Sequence, residues 1–183
     1  MKGTGYLIAA IVIVLAFVVW IYNGLVRARN RVDNAWGQVD VQLRRRYDLI
    51  PNLVETVKGY ASHEKATFEA VVEARAASQA ATTVESQAQA ENMLTGALRQ
   101  LFALAEAYPE LKAAPNFQSL QQELAETEGK IAIARQIYND AVLTYNNAVQ
   151  TVPRNLVAAL LGFRPKPYFE ASGDERSAPQ VDF

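Results

Sequence analysis

Residues 32–60, VDNAWGQVDVQLRRRYDLIPNLVETVKGY, decide the fold of this chain. Their apolar side chains recur every three or four residues, which places them on one side of an α-helix. These residues are Val32, Trp36, Val39, Leu43, Tyr47, Ile50, Leu53, Val57 and Tyr60. A polar row follows at four-residue intervals on a neighbouring face: Asp40, Arg44, Asp48 and Asn52. A helix with this much apolar surface needs partner helices, which the rest of the chain must supply.

Further helical segments follow before Pro109. The apolar spacing keeps its phase across Pro51, so we expect a kink there and a first helix that runs past Gly59. The alanine-rich residues 64–81 form either a second helix or the continuation of the first. After a short interruption, residues 85–108 form another helix. The beginning of that helix is polar and alanine-rich, which predicts that it protrudes from the bundle.

A second long helix fills the other half of the chain. Pro109 and Pro115 bracket a connection, and Asn116 is a good N-cap for the helix that follows. That helix carries an apolar stripe of Leu120, Leu124, Ile131, Ala134, Tyr138, Ala141, Tyr145 and Ala148. A second row runs beside the stripe: Glu128, Arg135, Asn139, Val142 and Asn146. Two long helices of this kind are natural antiparallel partners, so the sequence predicts an all-α antiparallel bundle.

The chain ends in a short helix and a tail. Pro153 closes the long helix and opens RNLVAALLG, residues 154–162, with Gly162 just past its end. Leu156 to Leu161 are too apolar to stand free. We expect them to pack on the end of the bundle, with contact to lipid as the open alternative. Prolines and charges at 163–183 predict an extended, partly disordered tail.

The N-terminus carries a predicted membrane span. Gly3 to Val26 are 24 residues without a charge, close to the roughly 20 apolar residues that cross the hydrocarbon layer. A cleaved signal peptide is the competing interpretation, but no small-x-small cleavage pattern follows the apolar run, which favours an uncleaved anchor. The expected domains are an anchor at 1–26, a helical bundle at 27–162 and the tail at 163–183.

The residues that flank the span predict how it sits in the membrane. Trp20 and Tyr22 belong at one membrane interface. Arg27, Arg29 and Arg31 follow the span, whereas one lysine and the amino terminus precede it. The positive-inside rule therefore places the C-terminal domain in the cytoplasm and the N-terminus outside. These arginines either bind membrane lipid at headgroup height or act as a topology signal alone.

Composition and motifs exclude several functional classes. The net charge of -1 and 50% hydrophobic content indicate a globular chain. The absence of cysteine excludes disulfides and thiolate metal sites, although it leaves the compartment open. His63 is the single histidine, which makes no familiar zinc or di-iron set, and no phosphate loop or nucleophile elbow occurs. We therefore expect no catalytic site, metal site or cofactor.

The polar rows are the candidate network: Asp40, Arg44, Asp48, Asn52, Glu128, Arg135, Asn139 and Asn146. If the rows face each other across the bundle, each buried charge must be paired. The run from Arg44 to Arg46 points in three directions around a helix, so we expect no nucleic-acid partner. Instead, one or two of these arginines pair with Asp40, Asp48, Glu55 or Glu128, and the remaining one faces solvent. Two interpretations of the rows stay open: a layer that fixes helix register, and a ligand groove or partner surface.

The chain resembles a known family at these same residues. Residues 22–64, YNGLVRARNRVDNAWGQVDVQLRRRYDLIPNLVETVKGYASHE, are similar to the signature block of the LemA family. Residues 109–163, PELKAAPNFQSLQQELAETEGKIAIARQIYNDAVLTYNNAVQTVPRNLVAALLGF, and PYFE at 167–170 resemble its second half. The resemblance implies one N-terminal membrane helix and a cytoplasmic bundle of long antiparallel helices in a bacterial protein.

The resemblance implies no catalytic residue, since no enzymatic activity is generally assigned to the LemA family and one relative is associated with magnetosome membranes. We therefore expect a non-enzymatic scaffold or adaptor in the bacterial inner membrane. Self-association as a homo-oligomer and an unidentified protein partner are both left open. The alternative is a ligand-sensing or signalling bundle whose polar rows line a cleft between helices.

Overall fold

The computed structural model describes residues 2–170, and this part of the chain is built from helices and connections. Its six helices are α1 (Lys2–Lys58), α2 (Lys65–Ala80), α3 (Val84–Glu106), α4 (Pro109–Ala113), α5 (Pro115–Gln150) and α6 (Arg154–Leu160). No strand occurs among the described residues. The predicted all-α class, with a long apolar first helix followed by further helices, is confirmed.

α1 is one helix of 57 residues that continues across Pro51. Ile50 and Leu53 are each 1% exposed, so burial on both sides of the proline offsets the backbone hydrogen bond that it removes. The helix ends at Lys58, earlier than the predicted run past Gly59. Gly59 and Tyr60 form a turn, and the Tyr60 side chain is exposed instead of extending the buried stripe.

The chain divides into two compact units. Unit 1 contains the residues up to Gln38 together with Gln136–Pro167. Of the described residues, unit 2 contains Val39–Arg135 together with 168–170. Because α1 and α5 both cross the division, each of these helices contributes to both units.

In unit 1, the two parts of α1 differ in exposure. Nearly every side chain from Gly3 to Trp20 is exposed, and only 6% of the most apolar window is buried. Among the described residues, α1 is the one helix long and apolar enough to cross a membrane. Beyond Trp20 one side of the helix is buried, through Ile21, Leu25, Ala28, Val32 and Ala35.

The buried side of α1 in unit 1 meets α5, which runs antiparallel to it. The Trp36 ring contacts the edge of Tyr138, with 5.3 Å between ring centroids. Further along α5, Tyr145 lies within electrostatic range of Arg29 and Asp33. Residue numbers therefore rise along α5 as they fall along α1.

Unit 2 contains α2, α3, α4 and parts of α1 and α5. A reciprocal capping box begins α3, because Thr83 and Ser86 each accept a backbone hydrogen bond from the other. The core is rich in buried leucines: Leu43, Leu53, Leu94, Leu98, Leu101 and Leu111. α5 begins at Pro115, whose fixed φ suits the first helical position, so Asn116 lies in the first turn and not at the predicted cap.

α6 packs through one face. Val157 and Ala158 are buried, whereas Leu156 and Leu160 are 69% and 82% exposed. The expected packing on the bundle therefore holds for only one side of this helix. Gly162 follows α6 with a φ of 75°, a left-handed conformation that glycine adopts without strain.

Residues 163–167, which we call the docked segment, are extended but not loose. The Asn146 side chain binds both backbone groups of Lys166: Oδ1 accepts from the N–H at 2.8 Å, and Nδ2 donates to the carbonyl at 2.9 Å. The Tyr138 hydroxyl donates to the Pro167 carbonyl at 3.0 Å. The extended, partly disordered tail predicted at 163–183 is extended over residues 163–170, where these contacts hold the docked segment, and residues 171–183 lie outside the described residues.

Candidate functional site

Unit 2 buries a charged group around Arg46, which is 2% exposed. Its Nη1 lies 2.7 Å from Oε2 of Glu91, and its Nη2 donates to Oγ1 of Thr95 at 2.9 Å. Its Nε lies 2.9 Å from Oε1 of Glu128, an ion pair without the alignment of a hydrogen bond. One guanidinium therefore ties α1 to both α3 and α5.

The Glu91 carboxylate is the second centre of this group and is 5% exposed. Its Oε1 accepts hydrogen bonds from the Tyr47 hydroxyl and from Gln87 Nε2, the latter at 3.0 Å. Gln87 Nε2 also donates to the Tyr47 hydroxyl at 2.8 Å, which closes a triangle. Together these residues form what we call the Arg46 cluster: Arg46, Tyr47, Gln87, Glu91, Thr95 and Glu128.

A fourth helix is joined to the cluster through the backbone. Arg75 on α2 donates from Nε to the carbonyl of Tyr47 at 2.8 Å, and Gln87 Nε2 reaches the carbonyl of Ser78 at 3.1 Å. The four helices α1, α2, α3 and α5 are thus connected by polar contacts within unit 2.

Burial raises the pKa of two members of the cluster. It raises the pKa of the Tyr47 hydroxyl far above its usual range, and the hydrogen bond to Glu91 raises that pKa further. The hydroxyl therefore stays protonated at neutral pH and acts as a donor. Burial also raises the pKa of the Glu128 carboxyl, although attraction to Arg46 offsets part of this rise.

Two cavities have members of the cluster in their walls. The first has a volume of about 400 Å³, mostly apolar walls and a lining of Arg46, Thr95, Leu98, Arg99, Phe102, Gln121, Leu124, Ala125 and Glu128. The second has a volume of about 480 Å³, mostly polar walls and a lining of Asp40, Arg44, Tyr47, Asp48, Ser78, Gln79, Ala81 and Gln87. We call the first the apolar cavity and the second the polar cavity.

The chemistry of the cluster suits helix alignment and binding. Each of the three guanidinium nitrogens of Arg46 has an oxygen within 2.9 Å, an arrangement typical of a structural cross-link. The apolar cavity combines apolar walls with charged groups from Arg46 and Glu128, which is the composition of a small-ligand pocket. Within residues 2–170, no group of three or more acidic or histidine side chains is placed to hold a metal ion.

The row from Asp40 to Asn52 lies on the solvated side of α1. Arg44 and Asp40 form an ion pair at 2.9 Å with side chains 74% and 45% exposed, and Asp48 and Asn52 are exposed. The sequence allows an arrangement in which this row is buried facing the second row. That arrangement is wrong for this row, because its side chains are solvated. The buried side of α1 is instead centred on the stripe that includes Arg46.

The second row is divided among several contacts. Glu128 pairs with Arg46, as described above. In unit 2, the Arg135 guanidinium lies over the Phe169 ring, 4.7 Å from its centroid. In unit 1, Asn146 holds the docked segment, and Asn139 is partly buried. These residues thus serve separate packing roles.

The residues expected at the membrane interface all lie in unit 1 and are exposed: Trp20, Tyr22, Arg27, Arg29 and Arg31. The Arg154 guanidinium lies over the Trp20 ring, 5.9 Å from its centroid. Phe163 contacts Tyr22, with 5.9 Å between ring centroids, and carries the Arg29 guanidinium 5.4 Å from its own centroid. This end of α1 is therefore joined to α6 and the docked segment.

Sequence reasoning missed Gln87, Glu91 and Thr95 because the polar beginning of α3 was expected to protrude. The structure buries Gln87 and Glu91 instead. A signal for them exists, since these three residues recur at four-residue intervals, like the row from Asp40 to Asn52. Arg46 also lies four residues before Ile50, in phase with the apolar stripe of α1. Together, these spacings indicate a polar layer inside the core.

Comparison with known proteins gives one family and several relatives. The family model described as "LemA family" matches residues 35–183. The chain is 24% identical over 193 residues to "Magnetosome protein MamQ 2" of Paramagnetospirillum magneticum, covering 90% of this chain and 71% of the relative. It is 26% identical over 159 residues to "Protein LemA" of Metamycoplasma hominis, covering 84% and 71%. With "Magnetosome protein MamQ" of Magnetospirillum gryphiswaldense the identity is 24%, covering 81% and 64%.

Proposed function

The chain belongs to the LemA family, and on that basis we propose that it is a non-enzymatic helical scaffold or adaptor anchored in a bacterial cytoplasmic membrane. The relatives include proteins named as magnetosome proteins, and none of the names reported above is that of an enzyme. Family membership and the apolar part of α1 together indicate a membrane-associated protein.

The continuity of α1 is the observation that carries the proposal. Exposure falls from 57% at Trp20 to 2% at Ile21 without a break in the helix. At 1.5 Å per residue, residues 3–20 are roughly 27 Å long, close to the ~30 Å of a hydrocarbon layer. An anchor that enters the protein core as one helix holds unit 1 close to the bilayer.

The cations after the apolar part support an orientation for the anchor. Arg27, Arg29 and Arg31 are exposed on α1 directly after the uncharged stretch. Positive residues of this kind remain on the cytoplasmic side. We therefore propose an N-terminus outside the membrane and a helical domain in the cytoplasm.

The Arg46 cluster supports a structural role over a catalytic one. The Tyr47 hydroxyl stays protonated and donates to Glu91, so it cannot serve as a general base at neutral pH. The guanidinium of Arg46 is occupied by oxygens from three residues of its own chain. Both groups are thus committed to holding helices together.

Photo-crosslinking in living cells tests the scaffold proposal. A photoreactive residue replaces Val41, which is 60% exposed on α1 in unit 2, and in a matched variant it replaces Val12, which is 58% exposed in the apolar part. We expect protein adducts from position 41 and lipid adducts from position 12. Self-adducts would identify a homo-oligomeric scaffold, and one distinct protein would identify an adaptor. The proposal fails if neither position 41 nor other exposed positions of unit 2 capture any protein.

The apolar cavity favours a second candidate function, a ligand-sensing bundle. Native mass spectrometry of protein purified gently from its cells would reveal a retained small molecule. Ala125→Trp fills the cavity from its wall on α5, and Ala132→Trp adds the same side chain at an exposed position of the same helix outside that wall. A bound molecule that is lost in the first variant and retained in the second would support this function. An unoccupied wild-type protein would count against it.

A further inference from the structure

We propose that α6 is a second membrane-binding element, whose exposed apolar face inserts between the headgroups and acyl chains of the leaflet from which α1 emerges. The inference rests on the proposed anchoring by α1 and adds a lipid-binding surface to it. The occupant of the exposed face is a phospholipid bilayer, because this face lies beside the end of the apolar part of α1.

The first observation is the division of α6 into two faces. Leu156 and Leu160 are four residues apart and therefore lie on one side of the helix, where they are 69% and 82% exposed. Val152, which precedes the helix, is 78% exposed. The opposite side is buried through Val157 and Ala158. Large apolar side chains grouped on one exposed surface mark an interaction site.

The second observation is the position of α6 along α1. The N-terminal end of α6 is joined to Trp20 by the Arg154 guanidinium, 5.9 Å from the ring centroid. Beyond its C-terminal end, Phe163 contacts the Tyr22 ring at 5.9 Å. Trp20 and Tyr22 are the residue types enriched at membrane interfaces, and Trp20 is where the exposed apolar part of α1 ends. α6 therefore lies at the expected height of the bilayer surface.

The third observation is the charge around this surface. Arg27 and Arg31 on α1, and Arg154 and Arg164 at the two ends of the α6 region, are exposed. Guanidinium groups at this height bind the phosphates of anionic lipids, while the leucines reach the acyl chains. Apolar and cationic groups thus occur together, as in an amphipathic interfacial helix.

Spin-label accessibility in the full-length chain tests the inference, and the chain has no cysteine of its own. Nitroxide labels are attached to Leu156→Cys and Leu160→Cys in vesicles of phosphatidylcholine and phosphatidylglycerol. Val12→Cys is the reference for the apolar part of α1. Asn34→Cys, exposed on α1 roughly 21 Å beyond Trp20, is the reference for water. Each label is exposed to oxygen, which concentrates in lipid, and to a nickel chelate, which stays in water.

We expect labels at 156, 160 and 12 to collide mainly with oxygen, and the label at 34 to collide mainly with nickel. Water-like labels at 156 and 160 beside a lipid-like label at 12 would overturn the inference and leave the proposed anchor intact. Water-like labels at all four positions would overturn both. Dipolar broadening between labels at 160, with little access to either reagent, would assign the surface to a second copy of the chain and also overturn the inference.

Discussion

Arg46 occupies a position where the apolar stripe of α1 calls for a hydrophobic side chain. A buried charge without partners costs several kcal/mol, so the position is tolerated because the carboxylate of Glu91, itself buried, lies against the guanidinium. Since a guanidinium binds oxygens in a fixed plane, a shift of one residue along α3 would separate it from Glu91. The cluster therefore favours one register of the helices in unit 2.

Glu91→Gln should destabilise the protein much more than Glu128→Gln. The first change leaves Arg46 with a neutral partner. It also replaces one oxygen of a carboxylate that accepts three hydrogen bonds by an amide group that donates them. Together these effects should cost about 3–5 kcal/mol. The Glu128 side chain is 42% exposed, so its replacement should cost less than about 1 kcal/mol. Thermal unfolding of the full chain in detergent, followed by circular dichroism, measures both. Equal losses would contradict the central role of Glu91.

Tyr47→Phe should alter stability in a pH-dependent way. Because the pKa of Tyr47 is raised above its unfolded value of about 10, its stabilising contribution is complete below pH 10 and is lost as pH rises further. The wild-type protein should therefore lose stability above pH 10 more steeply than Tyr47→Phe. At neutral pH the variant should be weaker by about 1–3 kcal/mol, because Gln87 and Glu91 lose a partner.

Tyr60→Phe is the matched control for this change, since it also removes one tyrosine hydroxyl but at an exposed turn. Unfolding midpoints measured from pH 7 to pH 11 compare the three proteins. If the unfolding midpoints of both variants fall with pH as steeply as that of the wild-type protein, Tyr47 does not cause the loss of stability above pH 10.

Sequence spacing predicts some of the ion pairs around the arginine run but not the contact between Arg46 and Glu91. Pairing of Arg44 with Asp40 follows from their four-residue spacing, and the sequence also offers Glu128 as a partner for the arginine run. The phase of the apolar stripe indicates that Arg46 is the buried arginine, but its partner depends on where α3 lies. That partner is Glu91, 45 residues away in sequence, and no local pattern contains the contact.

At the scale of elements, the spacing of apolar residues predicts those helices that are stabilised by burial of apolar side chains. The stripes of α1 and α5 are long and regular, so the existence of both helices follows from spacing alone. The docked segment has no such pattern, because the Lys166 groups that Asn146 binds are backbone groups, which every non-proline residue carries. Its prolines indicate an extended chain but not a binding site for that chain.

Asn146→Ala should release the docked segment. The change removes both hydrogen bonds to the Lys166 backbone from a side chain that is 7% exposed. A loss of about 1–3 kcal/mol should speed exchange of the Lys166 amide, which donates to Asn146, by roughly 5- to 150-fold. Hydrogen–deuterium exchange with mass spectrometry measures this rate. Asn147→Ala, at the exposed neighbouring position, should leave it unchanged, and an equal effect there would contradict the contact.

At the scale of the molecule, the division into units has no counterpart in the sequence pattern. Two of the boundaries fall after Gln38 and after Arg135, inside two continuous helices, and the third follows Pro167. No proline lies at the first two positions, and Gly37 beside the first does not interrupt α1, so the sequence predicts a single bundle at 27–162. The units arise because α1 and α5 are long enough to take part in two cores.

The proposed membrane orientation has a direct test in a chain without native cysteine. We expect a membrane-impermeant maleimide to label Thr4→Cys in intact spheroplasts, because the N-terminus is proposed to lie outside. Asn147→Cys, at an exposed position of α5, should react only after the membrane is permeabilised. Labelling in the opposite order would reverse the orientation.

Unit 1 is built from two distant parts of the chain, which has a consequence for its biosynthesis. Its two parts are separated by the 97 residues from Val39 to Arg135. A ribosome that adds about 5–20 residues per second needs roughly 5–20 seconds to translate them. During that interval Ile21, Leu25 and Val32 have no partner helix to cover them. Unit 1 therefore cannot close until most of unit 2 has been translated, and its uncovered face is the point at which a nascent chain most needs protection from its neighbours.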